Sequence, residues 1–418
     1  MMRILWLSHL LPWPPKGGLS QRSYHLMREV GQRADLHVVA FWQRAHQANA
    51  AAVADATRAL EAFSTLHAVH ALPENTNAGG RIGLVTRSLL PGPPYTIRWG
   101  MSRAFARSVR ATIHKIRPDI VHFDTISLAP YLDEVGDTPA VLNHHNIESH
   151  MLTRRAEQET RLLRRLFFRQ EAFRLLAYER DVARRFALHL TCSELDAERL
   201  RASVGPVPTS VIPNGVDLGY FRPADPERAN ADSLVFVGGL SWYPNAGAIR
   251  FFLREVWPLL SARRPSTQLT VVGRGVSADL AAIAAKDSRI RFPGFVDDMR
   301  PVVHEAAVYI CPIRDGGGTK LKMLDAMALG KPIVAHPVAC EGLGLTHGEN
   351  VVHAETPEGF TEEICRLFDD AALRRRIGTR ARQHVERHFS FEAIGAELVS
   401  TYAAVMHEAQ LGTQRAHA

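Results

Sequence analysis

Residues Arg314–Leu343 read RDGGGTKLKMLDAMALGKPIVAHPVACEGL, and this stretch decides the fold class. Gly316, Gly317 and Gly318 precede apolar positions at helical spacing, Leu321, Leu324, Met327 and Ala328. Gly330 and Pro332 end that helix, and Ile333–Ala335 has the composition of a buried strand. Val308–Pro312, just before the glycines, reads as another buried strand. A strand, a glycine loop, a helix and a strand form one unit of a parallel α/β sheet. Glycines opening a helix let backbone N–H groups approach an anion, and the helix dipole favours negative charge there. Lys320 and Lys322 add cations near the first turn, and Asp325 follows about one turn later. The pattern suits a phosphorylated ligand with a hydroxyl-rich part. Taken alone, it equally suits a glycine-rich turn before a solvated basic helix.

Working outward, a chain of 418 residues exceeds one ordinary core and predicts two domains. The net charge of +7 permits an anionic ligand or membrane surface without identifying either. Four dispersed cysteines, Cys192, Cys311, Cys340 and Cys365, show no C-x-x-C pairing, which argues against a disulfide framework or structural zinc and for a reducing, cytoplasmic setting. No histidine pair has zincin spacing, so no metal site is expected. Ile4–Trp13 lacks a small-residue cleavage site and is read as a first buried strand rather than a signal peptide. No apolar run approaches the roughly 20 residues of a membrane span.

Along the chain, Ile4–Ser8 and His37–Phe41 read as strands, with helices over Ser20–Arg33 (Ser20 as N-cap) and Gln47–Phe63. Gly17 and Gly18 sit in the loop after the first strand, where parallel sheets hold ligands, although a tight turn also explains them. Residues 73–100 read as a long connection. Strands are expected at Ile120–Phe123 and Ala140–Asn143. Asp124 follows the first; His144, His145, Asn146 and Glu148 follow the second. Such a cluster suits sugar hydroxyls or proton handling, and equally loop-capping hydrogen bonds. Residues 152–186 read as one or two helices whose arginines alternate with leucines and phenylalanines. That stretch is either a helix packed on the sheet with a solvated basic face or one lying on an anionic membrane. No nucleic-acid-binding module accompanies the charge. A break at Gly205–Pro208 sets the expected domains at 1–207 and 208–390, with 391–418 a helix packing back on the first. The fold predicted is two doubly wound, Rossmann-like parallel-sheet domains facing across a cleft.

Val211-Ile212-Pro213-Asn214-Gly215-Val216-Asp217, with Phe221 and Pro223, resembles the interdomain signature of family-4 glycosyltransferases, retaining enzymes with the GT-B fold. The resemblance extends in order through Arg3–Phe41, Asp119–Asp124, Phe236-Val237-Gly238, Val271-Val272-Gly273, Phe292–Val296 and the opening stretch. Asn143–Ser149 (NHHNIES), Trp242-Tyr243-Pro244-Asn245 and Gly317–Lys322 resemble an exopolysaccharide-associated bacterial subgroup.

The resemblance implies a metal-independent hexosyl transfer from a nucleotide-diphosphate sugar, without a further cofactor, to a glycan or lipid-linked acceptor. It places the protein in the cytoplasm or at the inner face of the membrane. It implies donor contacts from Gly17, Gly18, Gly238, Gly294, Phe295, Val296, Gly317, Gly318, Thr319 and Asp325. His144, Asn146 and Glu148 would meet the acceptor. Asp124 stands where many relatives have a His near the donor sugar, and His145 joins it as an expected catalytic group. Two departures stand out: the first Glu of the family's acidic pair falls on Gly317, and the usual Arg and Lys after the second domain's first strand are absent from Gly239–Asn245 (GLSWYPN). A leaving diphosphate needs cationic or N–H stabilisation, so Lys320 and Lys322 are expected to supply part of it. A nucleotide-sugar epimerase or hydrolase of the same fold, or a non-catalytic sugar-nucleotide-binding scaffold, is the alternative reading.

Overall fold

The computed structural model describes residues 1–15, 18–73, 92–224, 229–316 and 319–416. Gly17, Gly317 and Gly318, expected at the donor, lie outside the described residues. The chain divides into two compact units, Met1–Pro213 with Phe391–Ala418, and Asn214–Ser390.

In the first unit the strands are β1 (Arg3–Ser8), β2 (Asp35–Trp42), β3 (Thr65–Ala71), β4 (Ile120–Phe123), β5 (Ala140–Asn143), β6 (Leu188–Thr191) and β7 (Thr209–Val211). Among the described residues they form one sheet of order β3-β2-β1-β4-β5-β6-β7, with every neighbouring pair parallel. The apolar run of β1 follows from burial on both faces. Ile4 and Trp6 pack with Leu26, Met27 and Val30 of the helix Gly18–Gly31. Leu5 and Leu7 point the other way, toward Phe105, Val109 and Phe123.

The second unit has β8 (Asn230–Val237), β9 (Gln268–Val272), β10 (Ile290–Gly294), β11 (Ala306–Cys311), β12 (Ile333–Ala335) and β13 (Val352–His353). Their order is β10-β9-β8-β11-β12-β13, again parallel throughout. The helix Leu321–Ala328 follows β11 and buries Met323, Leu324 and Met327.

Several expectations shift. The first unit runs to Pro213 rather than residue 207, because Thr209–Val211 pairs with β6 and extends the sheet. Pro206 and Pro208 end the helical pattern without ending the domain. The first helix starts at Gly18, so Ser20 lies inside it and is not its cap. β3 and β13 are additional strands, one at each sheet edge. Of the expected connection over 73–100, residues 74–91 lie outside the described residues, and Tyr95–Trp99 is a short helix.

The segment 152–186 resolves into two helices, Glu148–Gln158 and Leu162–Ala183. They run antiparallel as a hairpin: Ser149 meets Glu179 near its base, and Arg155 lies over the Phe168 ring near its tip. The helix Phe391–Ala416 belongs to the first unit and buries Phe391, Ile394, Leu398 and Tyr402 in its core. It crosses the helix Gly18–Gly31 so closely that a Cβ on Gly395 would lie 2.2 Å from Glu29 Cβ. Among the described residues no helix is long and apolar enough to cross a membrane.

Candidate functional site

In an open parallel sheet, ligand loops gather outside the carboxyl ends of the strands where the strand order reverses. The first sheet reverses between β1 and β4, and the second between β8 and β11. Both places carry a polar cluster.

At the first, Asp124 follows β4 and is fully buried. Its carboxylate accepts from Ser23 Oγ (2.9 Å) and His145 Nε2 (3.2 Å), with Asn143 Nδ2 at 3.4 Å and His9 Nδ1 at 3.5 Å. Burial alone would favour the neutral acid, but the His145 and His9 contacts hold the Asp124 carboxyl well below the usual carboxylate range. A carboxylate only accepts, so His145 carries a proton on Nε2. Burial lowers the imidazole's own pKa and so disfavours a second proton. Arg22, buried in the helix after β1, donates to Asn143 Oδ1 at 3.1 Å and to the carbonyls of Ile212 and Pro213, both at 2.8 Å. The floor of the cluster is His122, stacked on Trp6 at 3.6 Å and hydrogen-bonded through Nδ1 to the Tyr402 hydroxyl at 2.7 Å. Burial pushes His122 down to about 3, so it is neutral.

Of the expected acceptor residues, the structure turns His144 inward. Its Nε2 meets His189 Nδ1 at 2.9 Å, while His189 Nε2 bonds the Ala183 carbonyl. The Ala183 carbonyl accepts, so His189 keeps its proton on Nε2 and His144 is the donor to Nδ1. This is a core contact, and it removes His144 from the acceptor set. Glu148 opens the helix Glu148–Gln158, where burial and the nearby Glu179 carboxyl raise it to about 7. Glu179 takes both Ser149 N and Ser149 Oγ. Asn146 lies half-buried in the intervening loop.

At the second reversal, Lys322 leaves the first turn of the helix Leu321–Ala328 and crosses to the end of β8. Its Nζ donates to Asn245 Oδ1 at 2.5 Å and lies 4.6 Å from the centre of the Phe236 ring. Asn245 Nδ2 in turn bonds the Gly239 carbonyl at 2.8 Å. Burial lowers Lys322 to about 8, leaving an ammonium that is charged at neutral pH and costly to keep so without an anionic partner. Gly238 is small because the ammonium needs its space: a Cβ there would sit 2.3 Å from Lys322 Nζ. Gly238→Ala should therefore displace the ammonium and weaken binding of an anion such as pyrophosphate there by roughly tenfold, about the worth of one charge-assisted hydrogen bond. Calorimetric titration checks this, with melting temperature nearly unchanged.

Lys320 behaves differently, its Nζ turning back to the Gly316 carbonyl at 2.9 Å. Thr319 Oγ1 accepts from Asn214 Nδ2. Asp325 is buried one turn beyond Lys322. Gly294 ends β10 with a positive φ of 77°, and its carbonyl accepts from Gly273 N at 2.8 Å. Val296 is half-buried, and the exposed Phe295 ring carries the Arg274 guanidinium at 4.1 Å.

Sequence reasoning assigned no role to His9, Arg22, Ser23, Asn143, Asn245 or Arg274. His9 had a usable signal, since it directly follows β1 at the strand-order reversal.

The fold and these clusters define a two-unit α/β protein with a polar cluster at each switch point, the second carrying a cation. Residues 16–220 match the family model Glycosyltransferase Family 4, and residues 231–370 match Glycosyl transferases group 1. The chain belongs to the family-4, group-1 glycosyltransferases and has the GT-B architecture. It is 28% identical over 229 residues to the GDP-mannose-dependent monoacylated alpha-(1-6)-phosphatidylinositol monomannoside mannosyltransferase of Corynebacterium glutamicum, covering 50% of this chain and 60% of that protein. It is 27% identical over 267 residues to the lipopolysaccharide core biosynthesis mannosyltransferase LpcC of Rhizobium leguminosarum bv. viciae, covering 59% and 73%. The matched stretches span 60%, 44% and 51% of the first three curated relatives. Among solved structures, HepE of Anabaena in complex with UDP superposes with a TM-score of 0.67 at 16% identity, covering 96% of this chain and 100% of that one. Sucrose-phosphate synthase from Thermosynechococcus elongatus gives 0.73 at 16%, covering 98% and 100%.

Proposed function

We propose that the chain transfers a hexose from a nucleotide-diphosphate sugar to a glycan or lipid-linked saccharide, with retention of configuration. The donor's diphosphate is held on the second unit and the acceptor on the first. The observation that carries this reading is the Lys322 ammonium, half-buried at the switch point between Asn245 and the glycine end of β8. As the bond between the anomeric carbon and the diphosphate breaks, negative charge grows on the leaving oxygen, and a positioned cation lowers that barrier. The acceptor oxygen forms its new bond on the same face and passes its proton to the departing diphosphate, so no protein nucleophile, metal or further cofactor is needed. On the first unit, the ionised Asp124 with His9 and His145 offers acceptors and donors to sugar hydroxyls. Thr319 and Asp325 complete the donor site, with Asp325 accepting from the ribose. The exposed Phe295 and the backbone at Gly294 and Val296 meet the base.

A role in cell-surface polysaccharide assembly, at the cytoplasmic side, is supported by two names among the relatives. One is the lipopolysaccharide core enzyme, and the other is a Klebsiella pneumoniae protein in the cps region. One relative is named for GDP-mannose and one structural neighbour holds UDP-glucose, so the donor is tested with both. In a thermal-shift panel of UDP, GDP, UDP-glucose and GDP-mannose, one nucleotide series should raise the melting temperature. Ligand at a hundred times its Kd adds about 2.7 kcal/mol of apparent stability. A flat response to every nucleoside diphosphate would sink the donor assignment.

A further inference from the structure

The helix Leu162–Ala183 is apolar on two opposite faces. One is buried through Ala172, Leu175 and Val182. On the other, large hydrophobic side chains stand in solvent: Leu162 is 68% exposed, Leu163 82%, Leu166 51% and Phe173 75%. Leu162, Leu166, Arg169 and Phe173 fall within an arc of about 60° at 3.6 residues per turn, so they form one stripe with Leu163 at its margin. A stripe of this kind on one helix marks an interaction surface, unlike singly scattered apolar residues. The helix thus combines both sequence readings of this segment, one apolar face packed in the core and another left on the surface.

The charge around the stripe is one-sided. Arg154, Arg155, Arg161, Arg164, Arg165 and Arg169 surround the hairpin tip, against Glu157 and Glu159. Arg164, Arg165 and Arg169 make no ion pair among the described residues. We propose that this hairpin tip docks on an anionic lipid bilayer, with Leu162, Leu163, Leu166 and Phe173 entering the interface and Arg164, Arg165 and Arg169 meeting lipid headgroup charge. Apolar insertion combined with basic attraction is the physics of a helix lying in the interface plane. A second copy of the chain is disfavoured as occupant, because it would set like charge against like charge. The hairpin leaves the sheet at the site end: Glu148 starts its first helix three residues after His145. That 11-residue helix is about 16 Å long. The surface stands independently of the sugar-transfer reading, and its test involves no transfer.

The full chain is mixed at low salt with vesicles of phosphatidylcholine, with or without phosphatidylglycerol, and sedimented. Binding is expected to the anionic vesicles and to weaken as salt rises. The triple change Arg164→Gln, Arg165→Gln, Arg169→Gln should weaken partitioning roughly a hundredfold. The triple change Leu162→Ser, Leu163→Ser, Leu166→Ser should weaken it at least about tenfold. As all six side chains are exposed, circular dichroism should match the wild type. Leu166→Trp gives a second readout, with emission shifting to shorter wavelength on anionic vesicles only. The proposal is overturned by no partitioning at low salt, by equal binding to neutral vesicles, or by indifference to both triple changes. It is also overturned if sedimentation velocity shows a dimer that the serine variant dissociates, since the stripe would then be a self-association surface.

Discussion

Lys322→Met should lower kcat/KM for sugar transfer by about 10²–10³, the usual cost of removing one preorganised charge-stabilising donor. Methionine keeps much of the hydrocarbon packing against Phe236 while deleting the ammonium 2.5 Å from Asn245 Oδ1. Folding should survive, because a neutral methionine at this half-buried position spares the desolvation cost of the cation. Lys320→Ala should have a much smaller effect, since that ammonium is already committed to the Gly316 carbonyl. The pH profile separates the two further. Burial holds Lys322 at about 8 in the free enzyme, and kcat/KM reports free-enzyme ionisations. The protonated form is the active one, so kcat/KM should fall as pH rises through about 8, and Lys322→Met should lack that limb. Lys331 is also held at about 8 by burial, but it donates to the His304 and Ala306 carbonyls. Its titration would appear in stability and persist in the Lys322 variant.

Asp124→Ala should abolish detectable transfer and destabilise the first unit by about 3 kcal/mol, as it orphans buried donors on Ser23 and His145. Asp124→Asn is the sharper test of chemistry. It keeps the shape but removes the charge, and it turns one of the two acceptor oxygens facing His145 and His9 into an N–H donor. A fall in kcat of roughly a hundredfold is expected, with most of the stability retained. The sign of the pH effect follows from the depressed folded pKa. The stabilisation from Asp124 is full above the ordinary carboxylate value of about 3.9. It declines progressively below that value and is gone once pH has fallen through the lower folded value. Chemical denaturation of wild type and Asp124→Asn at several pH values should show their gap constant above pH ~4 and shrinking below it.

Much of this was legible in the sequence, for physical reasons. Strands buried on both faces read as continuous apolar runs, and β1, β4, β5, β11 and β12 were therefore plain. The edge strand β3 (TLHAVHA) alternates weakly through its histidines, and β13 spans two residues, too few for any pattern. The glycines and lysines pointed to an anion site, but spacing could not say which lysine crosses to β8. Residues two apart on a helix point about 200° apart. Lys320 at the N-cap folds back on the loop, whereas Lys322 reaches over to β8. His144 and His145 pose the same problem at a strand end, where successive side chains face opposite sides. One entered the core against His189, and the other met Asp124. Contacts between residues distant in sequence, such as Lys322 with Asn245 or His122 with Tyr402, arise from the sheet order and left no local trace. The two readings of the 152–186 segment could not be separated for a related reason: a helix apolar on two faces has no single periodic face that says which one the core takes.

The most direct test of the account follows a labelled sugar from its nucleotide donor, with and without acceptor. The panel above selects the donor, and a saccharide or lipid-linked saccharide extract supplies the acceptor. The account predicts that label moves to the acceptor with one nucleoside diphosphate released per transfer and the anomeric configuration retained. It also predicts little release when acceptor is omitted. Rapid appearance of free or epimerised sugar without acceptor, an inverted product, or tight donor binding with no turnover on any acceptor would contradict it.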